Sequence, residues 1–232
     1  MISYHFYFVG TPIGNLRDLS SRAVDVFRSV DLILAEDTRK ARVLMGHYGI
    51  STPVRSYHDH NKIRVTPSII KKIEAGQRIA LVSDAGTPMI SDPGYYLARR
   101  LIDKGIEITS VPGASAVLDA LVVSGLPPDR FTFFGYVPRK AGVRDRVLHE
   151  AAENPGTSIF FESPRRLVKT LEEADRILGE RELVVARELT KMHEEVLRGT
   201  ARELIERFKG RGVKGEITLL IRGVGRQTGG TA

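Results

Sequence analysis

The segment IALVSDAGTP, residues 79–88, joins a short apolar run to a loop of glycine, proline and small polar residues. Four consecutive apolar residues bounded by turn-forming residues predict a buried strand. Three other segments have the same arrangement of strand and loop: Val9-Gly10-Thr11-Pro12-Ile13-Gly14-Asn15, Ala35-Glu36-Asp37-Thr38-Arg39 and Val111-Pro112-Gly113-Ala114-Ser115-Ala116. In open α/β sheets ligands bind at the carboxyl ends of the strands, so these four loops predict one binding cleft.

Helical patterns alternate with strands in the first half of the chain. An apolar repeat at helical spacing predicts a helix over 20–30. Proline behind a capping side chain predicts further helix starts at Pro67, after Thr66, and at Pro93, after Asp92. Strands are predicted over 4–9, 31–35, 54–57, 79–82 and 107–111. This alternation predicts a mostly parallel sheet that is covered on both faces.

The second half has more strands than helices. A helix is predicted over 116–123, and another from Ser163-Pro164 to about Leu178. Strands are predicted over 131–136, 157–161, 183–186, 195–197 and 216–221. Because these late strands are closely spaced, we expect a second, mixed sheet. The predicted organisation is an α/β domain over 1–113, a second α/β domain over 114–224 and a flexible tail over 225–232, and a single large sheet is the alternative.

Composition limits the class of protein. The chain has 232 residues, of which 42% are hydrophobic, enough for one sizeable core or two modest ones. The absence of cysteine excludes disulfides and thiolate chemistry and favours a cytoplasmic protein. No apolar run approaches the roughly 18 residues of a transmembrane helix, so no membrane association is expected. The first residues lack a basic segment followed by an apolar one, and no signal peptide is predicted.

The net charge is +7, and the excess is spread along the chain. A folded basic surface that binds an anionic partner such as nucleic acid is one interpretation, and a basic soluble protein without such a partner is the other. Three basic clusters could contact a nucleic acid, and each could also be a solvated face. They are Arg139, Lys140, Arg144 and Arg146; Arg165, Arg166 and Lys169; and Arg207, Lys209, Arg211 and Lys214.

The loop after the first strand excludes two common nucleotide motifs. It has only Gly10 and Gly14, which fits neither GxxxxGK[ST] nor GxGxxG, so ATP and nicotinamide have little support. A Rossmann-like ribose contact by Glu36 or Asp37 stays open as an alternative. His58-x-His60 could supply two metal ligands, but its polar neighbours favour a solvated loop, and no metal is predicted.

Several segments resemble the ribosomal RNA small subunit methyltransferase I family, in order over about residues 4–222. They are Thr11-Pro12-Ile13-Gly14-Asn15-Leu16, Ala35-Glu36-Asp37-Thr38-Arg39, His58-Asp59-His60-Asn61, Ser83-Asp84-Ala85-Gly86-Thr87-Pro88, Ser91-Asp92-Pro93-Gly94-Tyr95, Val111-Pro112-Gly113, Gly125-Leu126-Pro127, Phe161-Glu162-Ser163-Pro164-Arg165-Arg166, Ala186-Arg187-Glu188-Leu189-Thr190-Lys191 and Lys214-Gly215-Glu216.

This resemblance implies the tetrapyrrole-methylase fold, with an S-adenosylmethionine cleft between two α/β domains. It also implies methylation of the 2′-oxygen of a cytidine in the decoding centre of 16S ribosomal RNA, in the small ribosomal subunit, by a homodimer. A corrinoid or porphyrin methylase on the same fold is an alternative, against which the Thr-Pro-Ile-Gly-Asn loop speaks. A non-catalytic RNA-binding protein of the ribosome is another.

The resemblance also implies positions for the methyl donor, held largely by backbone groups. They are Pro12, Ile13, Asp84, Ala85, Gly86, Ile90, Ser115, Ala116, Phe161, Glu162, Ala186, Glu188, Leu189 and Thr218. Glycine lets a backbone approach a ligand closely, although turn geometry alone would also explain Gly86. Among the basic clusters, the one at Arg139 and Lys140 is favoured, because it resembles a family motif.

The general base stays open among four residues near the implied cleft: Asp37, Asp84, Glu188 and Lys191. The hypothesis is that Glu36 or Asp37 orients or deprotonates the ribose hydroxyl while Arg39 holds a phosphate. The alternative is that Glu36 and Arg39 pair with each other. Lys191 could act as a base only if its pKa were strongly depressed.

Overall fold

The computed structural model describes residues 4–225, so the residues of the predicted tail beyond 225 lie outside the described part. The chain divides into two compact units, residues 1–115 and 116–232, two residues from the predicted boundary. Each unit is built around one five-stranded sheet.

The first unit alternates strands and helices, as predicted. In chain order its elements are β1 (Phe6–Val9), α1 (Ser21–Ser29), β2 (Leu32–Ala35), α2 (Thr38–His47), β3 (Val54–Ser56), α3 (Lys62–Glu74), β4 (Ile79–Val82), α4 (Tyr95–Asp103) and β5 (Ile108–Val111). The strand order is β3-β2-β4-β1-β5, and all neighbours are parallel. Strands β2 and β4 are buried along their whole length, which is typical of a parallel sheet covered on both faces.

Two apolar clusters of the first unit cover the two faces of this sheet. One packs Phe27 of α1 and Met45 of α2 against Ile33 and Ala80. The other packs helices α3 and α4 against residues of β1, β2 and β4. Strand side chains alternate between the two faces, so each strand contributes to both clusters.

The second unit contains the mixed sheet that was predicted. Its elements are α5 (Ala116–Ser124), β6 (Phe131–Tyr136), α6 (Ala141–Glu153), β7 (Thr157–Glu162), α7 (Leu167–Leu178), β8 (Glu182–Arg187), β9 (Glu195–Thr200), α8 (Ala201–Phe208) and β10 (Ile217–Ile221). The strand order is β6-β7-β10-β8-β9, in which β6 and β7 are parallel and the other pairs antiparallel. A core cluster lies between this sheet and helices α6, α7 and α8.

Three predicted helix starts are wrong. Helix α3 begins at Lys62, so Pro67 lies inside it, because the apolar face with Ile69 and Ile73 packs on the sheet over the whole length. Helix α4 begins at Tyr95, two residues after Pro93.

The third wrong start is that of α7, which begins at Leu167 after a turn. Ser163 still accepts two backbone hydrogen bonds there through its carbonyl, from Arg166 and Leu167, at 2.9 and 3.1 Å. Within residues 4–225, no helix is both long and apolar enough to cross a membrane.

Candidate active site

The loops after β1, β4 and β5 are joined to each other at the carboxyl edge of the first sheet. The Thr11 amide donates to the Gly86 carbonyl at 2.9 Å, and the Gly86 amide donates back to the Thr11 carbonyl at 3.1 Å. The Thr87 hydroxyl donates to the Ala114 carbonyl at 3.3 Å. The structure therefore brings three of the four predicted loops together.

Glycine is required where the first and last of these loops touch. A Cβ added to Gly10 would lie 2.7 Å from the Cα of Gly113, which is closer than side-chain carbons approach backbone. Gly86 has a φ of +77°, and an added Cβ would lie 3.3 Å from Ile13. These contacts bury Pro12 and Ile13 beneath the site.

The loop after β2 is attached to the loop after β4 through Asp84. The Asp37 amide donates to one carboxylate oxygen of Asp84 at 3.0 Å, and the Lys40 ammonium donates to the other at 2.7 Å. With both oxygens engaged, Asp84 positions two loops, and it is a weak candidate for accepting a proton from substrate.

Asp37 is held by Arg39. The Asp37 carboxylate caps α2 by accepting from the Arg39 amide at 2.8 Å, and the Arg39 guanidinium donates to both of its oxygens at 3.1 and 2.7 Å. These hydrogen bonds hold the pKa of Asp37 well below its ordinary value. A carboxylate with a strongly lowered pKa is a poor base, so the structure disfavours Asp37 in that role. The partner of Arg39 is thus Asp37 and not Glu36.

Three carboxyl groups interact electrostatically above the ends of β2 and β4. Burial, followed by the charge of Asp84, raises the pKa of Glu36. Burial, followed by the charges of Glu36 and Asp84, raises the pKa of Asp92 to about 6. A half-buried carboxyl group with a pKa near neutrality that interacts with other carboxyl groups is a typical feature of acid–base sites.

Asp92 is the site residue that the sequence reasoning missed. Its position before Pro93 was interpreted as a helix cap, but the helix begins at Tyr95 behind Gly94. Its side chain instead interacts with the carboxyl groups of Glu36 and Asp84. The available signal was its place in a loop that follows a buried strand, the same signal that identified Glu36 and Asp84.

In the second unit, three predicted donor contacts form one row across the sheet. Thr218 of β10 pairs with Phe161 of β7 on one side and with Ala186 of β8 on the other. Because β10 is antiparallel to both neighbours, its first residues lie beside the carboxyl ends of β7 and β8. Thr218 and Ala186 are buried, and Phe161 is partly exposed.

Glu162, at the end of this row, is used inside the unit. Its side chain is fully buried and pairs with Arg166 at 2.5 Å. It also accepts from the Thr170 hydroxyl and the Ser163 amide, each at 2.5 Å. Any contact of Glu162 with a ligand would have to come from its backbone.

Glu188 and Lys191 form a pair behind β8. The Glu188 carboxylate accepts from the Lys191 ammonium at 2.8 Å and from the Glu216 amide at 3.0 Å. Burial acts to lower the pKa of Lys191, but hydrogen bonds to Glu188 and Glu216 outweigh it, and the pKa is raised. This raised pKa disfavours Lys191 as a base, because that role required a depressed pKa.

Two loops of the predicted site contain non-glycine residues with left-handed backbone. In the loop after β4 these are Met89 and Ser91, with φ of 72° and 65°. In the loop after β8 they are Glu188 and Thr190, with φ of 52° and 66°. Among residues 4–225 no other non-glycine residue has such a φ, and backbone strain of this kind concentrates at functional sites.

Two of the predicted RNA contacts have their charged groups turned into the protein. Arg144 is 3% exposed and is held by Glu173 and by two backbone carbonyls, so the structure contradicts its use on a binding surface. Arg166 pairs with Glu162 and donates to the Val137 carbonyl at 2.9 Å. Arg139, Lys140 and Arg165 are exposed, and their RNA contacts stay predictions.

Between residues 4 and 225, no group of three or more His, Cys, Asp and Glu side chains is arranged to hold a metal ion. His58 and His60 lie edge to face with ring centroids 5.8 Å apart.

Known proteins are similar to this chain in sequence and in fold. The profile of the Tetrapyrrole (Corrin/Porphyrin) Methylases matches residues 5–205. The ribosomal RNA small subunit methyltransferase I of Synechocystis sp. is 49% identical over 218 residues, with 94% of this chain and 78% of that protein covered. The chain belongs to the ribosomal RNA small subunit methyltransferase I family. The family member of Thermotoga maritima is 45% identical over 215 residues, covering 93% of this chain and 96% of that protein.

The crystal structure of a cobalt precorrin-4 methyltransferase of cobalamin biosynthesis shares the fold. Its TM-score is 0.70 at 17% identity, with 94% of each chain covered. This likeness, with the parallel and mixed sheets, confirms the predicted tetrapyrrole-methylase fold. The methyltransferase I family member described here is thus a methyltransferase, with S-adenosylmethionine as its methyl donor.

Proposed function

We propose that this chain transfers a methyl group to the 2′-oxygen of a cytidine ribose in the decoding centre of 16S ribosomal RNA. The observation that carries the proposal is 42–49% identity, over most of the chain, to proteins named as small-subunit ribosomal RNA methyltransferases. The net charge of +7 suits a polyanionic substrate. The ribose oxygen, the cytidine and the decoding centre come from the sequence resemblance.

The reaction requires alignment and removal of one proton. The ribose oxygen forms a bond to the methyl carbon as the carbon–sulfur bond breaks, and the hydroxyl proton passes to a base. S-adenosylmethionine supplies an activated methyl group, so the protein chiefly has to position the reactants. We assign the base to Asp92, with Glu36 beside it, because their raised pKa values suit proton acceptance near neutral pH better than those of Asp37 or Lys191.

Two features support binding of the donor at the predicted positions. The carboxyl groups of Glu36, Asp84 and Asp92 provide negative charge that suits a sulfonium cation. Small residues at Ala85, Gly86, Ser115 and Ala116 leave backbone accessible to a ligand. In the second unit, Phe161, Thr218 and Ala186 stay proposed donor-binding residues. Glu188 and Leu189, which follow β8, are proposed as well.

We place the RNA phosphates against exposed cations. Arg39 has 86% of its side chain exposed even while it pairs with Asp37. Arg139, Lys140 and Arg165 are the exposed candidates of the second unit. Since the proposed substrate is ribosomal RNA, we also propose that the enzyme acts in the cytoplasm.

A homodimer is part of the same proposal. It derives from the sequence resemblance, and exposed apolar side chains such as Val122 and Met192 are of the kind that a subunit interface covers. One chain has a mass of 25.7 kDa. Sedimentation equilibrium of the pure protein should give twice this mass. A single-chain mass at micromolar concentration would contradict the dimer.

The test of the activity is radiolabelled methyl transfer to purified small subunits and to their isolated RNA, followed by identification of the modified nucleoside. We expect 2′-O-methylcytidine at a single position in the decoding centre. A base-methylated nucleoside, or label at many positions, would overturn the assignment of the target. No transfer to either substrate would overturn ribosomal RNA methylation.

A further inference from the structure

A basic groove runs along the outer edge of the first sheet. It has a volume of about 590 Å³ and lies between α2, the edge strand β3 and α3. Its cationic lining residues, here called the groove cations, are Arg42, Arg55, Arg64 and Lys72. The RNA contacts predicted from the sequence are Arg39 and residues of the second unit, and they do not include this groove.

The charge of the groove is not neutralised locally. No aspartate or glutamate lines it, and none of the groove cations forms an ion pair with a carboxylate in residues 4–225. Lys72 donates only to the amide oxygen of Gln77, at 3.3 Å. By contrast, Arg144, Arg166 and Arg211 of the second unit each pair with a glutamate. Four uncompensated cations in one concavity attract a polyanion.

The shape and lining of the groove favour a nucleic-acid backbone. Its lining combines apolar residues of β2, β3 and α3, including Val54, Val65 and Ile69, with the cations of α2, β3 and α3. Arg64 and Lys72 are eight residues apart on α3, a span of about 12 Å, so the two cations can contact different phosphates of one strand. Among residues 4–225 no aromatic side chain lines the groove, so these residues offer no platform for stacking of bases.

The groove also reaches the candidate active site. Thr38 lines it and directly follows Glu36 and Asp37 in the chain, and Ser56 and Asn61 line it at the carboxyl end of β3. A strand in the groove would thus be led toward the edge of the sheet where the carboxyl groups lie.

We propose that this groove binds the sugar-phosphate backbone of the RNA substrate, with the groove cations contacting phosphates in a sequence-independent manner. This inference rests on the proposed function, because it names how the ribosomal RNA is held. The contacts orient the strand, and they carry no base specificity.

The test uses two double variants of the full-length enzyme, Arg55→Gln with Arg64→Gln, and Arg42→Gln with Lys72→Gln. Binding to isolated small-subunit RNA is measured over a range of salt concentrations. Each lost phosphate contact should reduce the slope of log K against log salt by roughly 0.7 to 0.9, so each pair should reduce it by about 1.5. The loss of affinity should be the same for unrelated RNA sequences.

The matched control is Arg17→Gln with Lys71→Gln, which removes two exposed cations of the same unit that do not line the groove, one of them on α3. This control should leave the slope unchanged. Calorimetric titration with S-adenosylmethionine should give wild-type affinity for all three variants, which shows that they are folded.

Three outcomes would overturn the groove proposal while the wild type still methylates RNA. The first is a slope that the groove variants do not change. The second is weaker binding to assembled subunits but not to naked RNA, which would indicate an acidic protein as the partner. The third is a change of oligomeric state with RNA binding intact, which would indicate that the β3 edge joins two copies of the chain. Failure of the wild type to methylate RNA would refute the proposed function instead.

Discussion

At the scale of single residues, Asp92 is the side chain on which the proposed chemistry depends most. Its pKa of about 6 means that the carboxylate form, which can accept a proton, becomes dominant as the pH rises through 6. The rate of methyl transfer should therefore increase with pH below about 6 and level off above it. Asp92→Asn should lower turnover by roughly 10²- to 10⁴-fold and remove this pH dependence.

The control for this substitution is Asp129→Asn, which changes an exposed carboxylate of the second unit. Donor affinity should be wild-type in the control and only modestly lower in Asp92→Asn, because the carboxyl groups of Glu36 and Asp84 remain. If Asp92→Asn turned over at the wild-type rate, Asp92 would not be the base, and Glu36→Gln would become the next variant to measure.

The same raised pKa predicts how stability depends on pH. The folded chain binds the Asp92 proton more tightly than the unfolded chain, in which the pKa of this carboxyl group is near 3.8. Wild-type stability should therefore fall as the pH rises from about 4 to about 6, and Asp92→Asn should not share this loss. Above pH 6 the variant should have the larger free energy of unfolding, by about 1 kcal/mol after allowance for solvent screening at this partly exposed site. Urea denaturation at several pH values measures it, and an advantage that grows toward pH 4 would contradict the assigned shift.

The backbone conformation and close packing at position 215 require the glycine of the Lys214-Gly215-Glu216 segment. Its φ is +91°, and an added Cβ would lie 2.3 Å from the Cδ of Glu188. Gly215→Ala should therefore displace Glu188, lower the free energy of unfolding by roughly 2–4 kcal/mol and weaken donor binding. Gly210→Ala is the matched control, because Gly210 has a similar φ of +71° but open space around it. Equal losses for the two variants would show that backbone strain alone matters.

At the scale of elements, local signals determined helix starts only where the side chain was free to act as a cap. Ser20 caps α1 by accepting from the Ala23 amide at 3.2 Å, and the helix predicted over 20–30 from its apolar repeat begins at Ser21. Asp92 also has a side chain that can cap a helix, but it interacts with the carboxyl groups of Glu36 and Asp84 and does not cap α4. Packing decided the case of α3, because burial of Ile69 and Ile73 outweighs the cost of Pro67 inside the helix. Sequence alone does not show which of these competing uses a side chain has.

Helix α8 offers a test of capping at this scale. The Thr200 hydroxyl accepts from the Glu203 amide at 3.3 Å, and the Glu203 carboxylate accepts from the Thr200 amide at 2.8 Å. Thr200→Ala should lower the free energy of unfolding by about 1 kcal/mol. Thr132→Ala, at an exposed strand position, is the control and should change it by less. Methyl transfer by the folded enzyme should be unaffected by Thr200→Ala, and an equal stability for both variants would contradict the capping role.

At the scale of the whole molecule, the sequence predicted the two sheets and the loops, but not the balance of charges. Strand and loop order follow from hydrophobic pattern and glycine placement, which are local, so the parallel and the mixed sheet were predicted correctly. Ion pairs are not local: Arg144 with Glu173 and Lys40 with Asp84 join residues 29 and 44 positions apart. For this reason Arg144 was predicted to contact RNA, and nothing in the sequence indicated that Arg42, Arg55 and Arg64 line one groove.

Binding of the methyl donor should stabilise the folded chain. A ligand that binds only the native state stabilises it by about 2.7 kcal/mol at one hundred times its Kd. For a chain of this size such a gain raises Tm by roughly 5–10 °C, so S-adenosylmethionine should produce a shift of that order. S-adenosylhomocysteine should do so as well, since it retains most of the same contacts, whereas adenosine should do so much less. A non-catalytic RNA-binding protein would show no shift with any of them. An unchanged Tm at high donor concentration would therefore exclude the methyl-transfer mechanism itself, whichever substrate the basic surfaces bind.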